Sequence, residues 1–204
     1  MSDIAHLAAA IFRKGAGCER VLVAIAGPPG VGKSTLAEAL VPLLPEGTAC
    51  VLPMDAFHLD NSVLQARGLM ASKGAPETFD FGGFHATLRR VRDREADVVI
   101  PLFDRAGDFS RAGAAVVGGA VKFVLVEGNY LLSDEEPWSR LAPVFDFAVF
   151  LDVAEAELER RLIERWLSHG HGPEQARERA FSNDLPNARR VLARRRAADM
   201  ELKF

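Results

Sequence analysis

Short, continuously apolar runs alternate along this chain with longer amphipathic ones. Residues 21–26 (Val-Leu-Val-Ala-Ile-Ala) are apolar throughout and rich in β-branched side chains, as expected of a strand buried on both faces of a parallel sheet. Residues 35–44 instead put Leu36, Leu40, Val41 and Leu44 on one helical face, and Pro45 with Gly47 ends that helix. Residues 49–54 predict a second strand ending at Asp55, and residues 61–70 and 84–94 predict helices around a Gly/Pro-rich stretch. Residues 98–103 predict a strand that delivers Asp104 and Arg105 to a loop. Residues 114–117 suit a short strand or hairpin before Gly118-Gly119, and residues 121–126 form another buried-type strand ending in Glu127-Gly128.

The second half continues the alternation. A strand is predicted over 145–152, a long charged helix over 155–168, and another helix over 173–181 behind the breaker His169-Gly170-His171-Gly172. Residues 200–204 suit a closing strand, and the Ala-rich stretch 7–12 an N-terminal helix within residues 1–19. Strands alternating with helices imply a doubly wound, mainly parallel α/β sheet, whose ligands bind at the carboxyl ends of the strands.

One junction carries chemistry. Gly27-Pro28-Pro29-Gly30-Val31-Gly32-Lys33-Ser34, followed by Thr35, fits the phosphate-binding loop pattern and lies between a predicted strand and a predicted helix. Its glycines allow successive N–H groups to face a phosphate at the positive end of a helix. Lys33 would reach the β- and γ-phosphates of a nucleotide such as ATP, and the Ser34 hydroxyl would take one position on Mg²⁺. The fold expected is therefore the P-loop NTPase fold.

Composition narrows the partners. The 204 residues suit one domain, 1–204, with a lid at 155–172, and there is no internal repeat. A net charge of −3 gives no basic excess for nucleic acid, and Arg194-Arg195-Arg196 suits a solvated helix end. Cys18 and Cys50 form no metal-ligand spacing and suggest no disulfide framework, which fits a reducing cytoplasm. The N-terminus lacks the basic region of a secretory signal, and no segment is long and apolar enough for a membrane span. A homodimer is possible on this reading, without being derived from it.

Asp55, Asp104 and Glu127 fall at predicted strand ends or in the loops that follow. Beside a phosphate loop, one carboxylate can deprotonate an attacking hydroxyl and another can hold Mg²⁺ while a γ-phosphoryl group moves in line. Glu127 joins Ser34 as a candidate metal ligand.

Several segments together resemble the uridine kinase, phosphoribulokinase and bacterial pantothenate kinase group of P-loop kinases. Arg67-Gly68-Leu69-Met70 followed by Lys73-Gly74-Ala75-Pro76-Glu77-Thr78-Phe79-Asp80 is similar to a pantothenate kinase stretch, and places Lys73 and Glu77 on the acceptor side. Met54-Asp55-Ala56-Phe57 resembles that group's Asp-x-Phe, which implies that Asp55 is the general base. Pro101-Leu102-Phe103-Asp104-Arg105 and Val126-Glu127-Gly128-Asn129-Tyr130-Leu131-Leu132 look most like a bacterial branch known as fructose transport system kinases, implying a sugar acceptor.

Arg105 stands where relatives of that group carry other residues, which sets this chain apart from pantothenate and uridine kinases. With Asp104 it either reads the acceptor or braces a loop. His58 either touches substrate or is a partly buried polar residue. The helix over 158–167 carries Arg161 and Arg165 four residues apart, and Arg165-Trp166 resembles the lid of pantothenate kinases, whose arginines fold onto ATP. His169 and His171 suit a hinge or helix cap. Asn187 either reads the adenine edge or serves a turn. No Asn-Lys-x-Asp guanine reader is present, and Glu127 lacks the second acid of a remodelling ATPase. A module that binds ATP without turnover remains the alternative to a kinase.

Overall fold

The computed structural model describes residues 3–203. Its centre is a five-stranded sheet, all parallel, in the order β2-β5-β1-β6-β7. The strands are β1 (Val21–Ala26), β2 (Ala49–Pro53), β5 (Phe123–Gly128), β6 (Phe147–Asp152) and β7 (Met200–Lys203). The two inner strands β1 and β5 are buried at every position, which accounts for their unbroken apolar sequences.

Side chains alternate across β1, so its residues divide between two cores. Leu22, Ala24 and Ala26 join Val124, Phe84, Leu88 and Trp138 on one face. Val21, Val23 and Ile25 join Leu7, Ile11, Leu36 and Leu40 on the other. Helices α1 (Asp3–Lys14) and α2 (Lys33–Leu40) therefore cover the second face. Helix α4 (Phe81–Arg92) and the short helical segment Trp138–Val144 cover the first. Arg20, just before β1, is buried and donates to the carbonyls of Val91, Gly118, Gly119 and Val121, tying the end of α4 to the approach to β5.

Three expectations need correction. The strand over 98–103 is not part of the central sheet: β3 (Val98–Asp104) pairs antiparallel with β4 (Phe109–Val117) in a ribbon of its own. The reason lies at Pro101, which lacks a ladder N–H and falls at the register break between Ile100 and Leu102. Val99 is 52% exposed, as no residue of a doubly covered strand would be. Asp104 consequently ends a ribbon strand rather than one at the sheet edge, and β4 is much longer than the short strand expected over 114–117.

The helix expected over 61–70 stops earlier, as α3 (Asn61–Ala66), because Gly68 takes a left-handed φ of +69°. Conversely, α4 starts ahead of its expected position, since Asp80 caps it by accepting from the Gly83 N–H at 2.9 Å. The third correction concerns the C-terminal third. After α5 (Glu155–Ser168) and α6 (Pro173–Arg179), a π-helical turn Ala180–Asp184 runs into a further helix, α7 (Leu185–Ala193), where the sequence suggested a turn. Pro186 sits in the first turn of α7, immediately after the π-helical turn. Asn187 is thus a helical residue. The three arginines that follow are not simply solvated: the Arg195 guanidinium lies 4.0 Å from the centre of the Phe150 ring, and Nε and Nη2 of Arg196 are buried.

Candidate active site

The loop from Gly27 to Gly32 joins the carboxyl end of β1 to the start of α2. A Cβ on Gly27 would stand 2.9 Å from the Leu151 carbonyl oxygen, so only glycine lets the loop run this close to β6. Gly32, with φ +98°, turns the chain into α2 in a left-handed conformation. Lys33 and Ser34 occupy the first turn of that helix, with Thr35 next. Lys33 is 8% exposed, and its ammonium donates to the Pro28 carbonyl at 2.9 Å, so it curls back over its own loop.

Two carboxylates face this loop from neighbouring strands. Glu127, near the end of β5 and 4% exposed, accepts from the Ser34 hydroxyl at 3.2 Å. Asp55 lies in the helical turn Met54–Phe57 directly after β2, and accepts from Arg105 Nη2 at 3.0 Å. Because β2 and β5 are paired in register from Ala49↔Phe123 to Pro53↔Glu127, the two acids emerge side by side.

Their electrostatics differ. Burial pushes the Lys33 ammonium down to about 8, against the opposing pull of Glu127 and Asp55. Burial raises the Glu127 carboxyl, and the Asp55 charge adds to the rise, while Lys33 and the Ser34 hydroxyl oppose it. Burial also acts upward on Asp55, but His58, Arg105 and Lys33 together outweigh it and hold the group below the ordinary carboxylate value. Asp55 is therefore ionised and acceptor-only at neutral pH.

The remaining predicted residues lie in three places. His58 packs against the rings of Phe79 and Phe103, with its Nδ1 2.8 Å from the Asp55 carbonyl oxygen. Lys73 donates to Asn61 Oδ1 at 2.7 Å and pairs with Asp108 at 2.8 Å, which pins the tip of the β3–β4 ribbon to the start of α3. Asp104 accepts from the Gly107 N–H at 2.9 Å and so shapes the turn that carries Arg105. Glu77 faces Arg190 at 3.5 Å and is half exposed.

On the opposite side of the loop, Leu162 of α5 packs against Gly30. The preceding residue, Arg161, pairs with Glu157 one turn earlier at 2.6 Å and reaches the Val31 carbonyl at 3.4 Å. Arg165 is close enough to Lys33 for its charge to help depress that ammonium. His169 is the C-cap of α5, as one of the expected alternatives had it. Asn187 is buried and donates to Asn183 Oδ1 at 3.1 Å, and Asn183 in turn donates to the Lys73 carbonyl at 2.7 Å.

Comparison with known proteins follows this geometry. A crystal structure described as a "putative fructose transport system kinase" from Silicibacter sp. TM1040 superposes with a TM-score of 0.94 at 44% identity, covering 99% of this chain and 100% of that one. An uncharacterized protein of Escherichia coli, YggC, is 40% identical over 185 residues, which are 89% of this chain and 76% of that protein. A "putative uridine kinase" of Schizosaccharomyces pombe is 34% identical, over 83% of this chain and 77% of its own length. A pantothenate kinase of Parvibaculum lavamentivorans is 32% identical over 72% of this chain and 48% of that enzyme. The chain belongs to the P-loop kinase group of uridine kinases, phosphoribulokinases and pantothenate kinases. No protein-family profile matches it.

Membership of this P-loop kinase group implies an ATP site, and the donors present fit a magnesium ion with it. Ser34 Oγ and Glu127 Oε1 are hard oxygen donors already within hydrogen-bond distance of each other. Among the described residues no group of three or more His, Cys, Asp or Glu is arranged to hold a metal. An ion here would complete its shell with water and phosphate oxygens, the manner of Mg²⁺ rather than of Zn²⁺ or Ca²⁺. Among the same residues no helix is long and apolar enough to cross a membrane.

Some residues around this site escaped the sequence reading. Asn61 and Asp108, which hold Lys73, carried no motif. Tyr130 stood in a quoted motif without a role, yet it is buried and its hydroxyl donates to the Gly74 carbonyl at 2.7 Å. Asp184 is buried and accepts from the Trp166 indole at 2.6 Å, joining helix α5 to the π-helical turn.

Proposed function

We propose that this protein transfers the γ-phosphoryl group of ATP, with Mg²⁺, to a hydroxyl of a small polyhydroxylated metabolite of the sugar kind. Fructose is a candidate through the name carried by the 44%-identical structure. The observation that carries the reading is the convergence, at the carboxyl ends of β1, β2 and β5, of a buried phosphate-loop lysine, a loop serine bound to Glu127, and the ionised Asp55.

In this reading residues 27–35 would hold the polyphosphate, Lys33 would neutralise charge on its terminal phosphates, and Ser34 with Glu127 would hold the ion. The acceptor hydroxyl approaches Asp55, which takes its proton. A new bond forms between that oxygen and the γ-phosphorus as the bond to the β,γ-bridging oxygen breaks, and ADP leaves with those electrons. Arg161 and Arg165 close over the phosphates as residues 155–172 move as a lid, whereas Asn187, tied through Asn183 to the Lys73 carbonyl, supports the acceptor side rather than the adenine. His58, Lys73, Glu77, Asp104 and Arg105 form or support the acceptor side.

The test is acceptor-stimulated ADP release across sugars, polyols, nucleosides and pantothenate. Stimulation by one class supports a kinase. ATP binding with no acceptor-dependent turnover would make the chain an ATP-binding module instead.

A further inference from the structure

The group placed to act as base is not open. Asp55, 25% exposed, accepts a hydrogen bond from Arg105, whose side chain is 56% exposed and whose hydrogen bonding among the described residues is to Asp55 alone. Arg105 is held in place from both sides of its turn. Asp104 closes the turn on Gly107, and Asp108 is tied to Lys73 and Asn61. The neighbouring Lys73 ammonium is already committed to Asn61 and Asp108. The Arg105 fork therefore has donors to offer a ligand, and Lys73 does not.

Resting on the kinase reading above, we propose that the acceptor carries an anionic group, a carboxylate or a phosphate, beside the hydroxyl that is phosphorylated, and that Arg105 binds it. Two arguments lead there. A neutral hydroxyl competes poorly with a carboxylate for a guanidinium, so it leaves the Asp55 oxygen engaged, whereas an anion can take the fork through two parallel hydrogen bonds. Proton transfer sharpens the demand. As the acceptor oxygen bonds to phosphorus its proton passes to Asp55, the Asp55 charge disappears, and the half-exposed Arg105 loses its only side-chain partner among the described residues. An anion on the acceptor keeps Arg105 paired through that step, so its contribution is larger in the transition state than before it.

The experiment pairs acceptors that differ only in charge: an aldonate with the alditol of equal length, and a sugar phosphate with its parent sugar. Transfer of label from γ-labelled ATP is measured for each with the wild-type protein, Arg105→Ala and Arg105→Lys, all checked for fold by circular dichroism. The expected result is a kcat/KM at least roughly tenfold higher for the charged member of one pair. That preference collapses in Arg105→Ala, which gains on the neutral member, and is partly kept in Arg105→Lys. The pair that shows the preference tells carboxylate from phosphate. Equal or better use of the neutral members, or an equal loss on both members in Arg105→Ala, overturns the anionic acceptor and leaves the kinase reading intact. Transfer to no acceptor of either charge, with ATP bound, overturns both.

Discussion

The Ser34 hydroxyl donates to Glu127 Oε1 at 3.2 Å, joining the first turn of α2 to the last residues of β5. The pair spans 93 residues of sequence and exists because β1 and β5 are adjacent and in register up to Ala26↔Gly128. Burial raises the Glu127 carboxyl, so its charge is held at a cost in the protein without ligands. Glu127→Gln keeps the shape and can still accept from Ser34. It should leave the melting temperature unchanged or higher, while the Mg²⁺ concentration for half-maximal turnover rises roughly tenfold or more. A lower melting temperature with an unchanged Mg²⁺ requirement would make Glu127 a structural residue.

Lys33 gives the same contrast with a pH signature. Its folded value is about 8 against an ordinary 10.5, so between those values the unfolded chain holds a proton that the folded one has released. Stability of the nucleotide-free protein should therefore rise with pH across that window. Lys33→Met should flatten the rise and increase the melting temperature near pH 7, while cutting turnover by orders of magnitude. Thermal melts at stepped pH, with the wild type and variant side by side, read the sign directly.

For Asp55 it is the charged form that the fold favours. Its folded value lies below the ordinary 3.8, so its contribution to stability is present above that pH and fades as pH falls through the lower folded value. The pH profile of kcat/KM for the acceptor should accordingly show no limb from Asp55 between about pH 5 and about pH 7. A fall in rate centred there that vanishes in Asp55→Asn would contradict the ionised state assigned to it.

Much of this arrangement was legible in the sequence. The unbroken apolar runs of β1 and β5 announced the centre of the sheet, and the loop from Gly27 to Ser34 announced its ligand-binding end. Asp55 and Glu127 were found because a strand's last residues mark the binding edge of a parallel sheet. The ribbon was missed because residues 98–103 are nearly as apolar as a core strand, although Pro101 was the available sign that no central ladder could include them. Helix α7 was hidden by Asn183, Asp184 and Pro186, turn formers that a π-helical turn and a helix start also accept. The Arg105–Asp55 pair could not be read at all, since it joins residues 50 apart through the packing of the ribbon against the turn Met54–Phe57 after β2.

Arg165 and Arg161 can be tested without disturbing the fold. Both are partly buried on the flank of α5 that faces the loop, and Arg161 already touches the loop through the Val31 carbonyl. Arg165→Lys retains the charge and loses the planar fork, so kcat should fall by roughly tenfold with little change in ATP affinity. Full activity in stopped-assay kinetics would remove Arg165 from the reacting end of the nucleotide.

The anchor of α5 makes a separate stability prediction. Trp166→Phe removes the indole donor and leaves the buried Asp184 carboxylate without its hydrogen bond. A loss of about 1–3 kcal/mol is expected, visible in urea unfolding. Asp184→Asn should cost less, because burial already acts against the charge there.

The central claim is that Asp55 takes the proton of an acceptor hydroxyl as that oxygen is phosphorylated. Its most direct test is single-turnover transfer of γ-labelled phosphate from bound ATP to an active acceptor, with wild type and Asp55→Asn compared at saturating concentrations of both substrates. The account predicts a transfer rate lower by a factor of about 10² or more in the variant, with the ATP dissociation constant within about twofold of wild type. An unchanged transfer rate, or a lost ATP affinity with transfer intact at saturation, would contradict it.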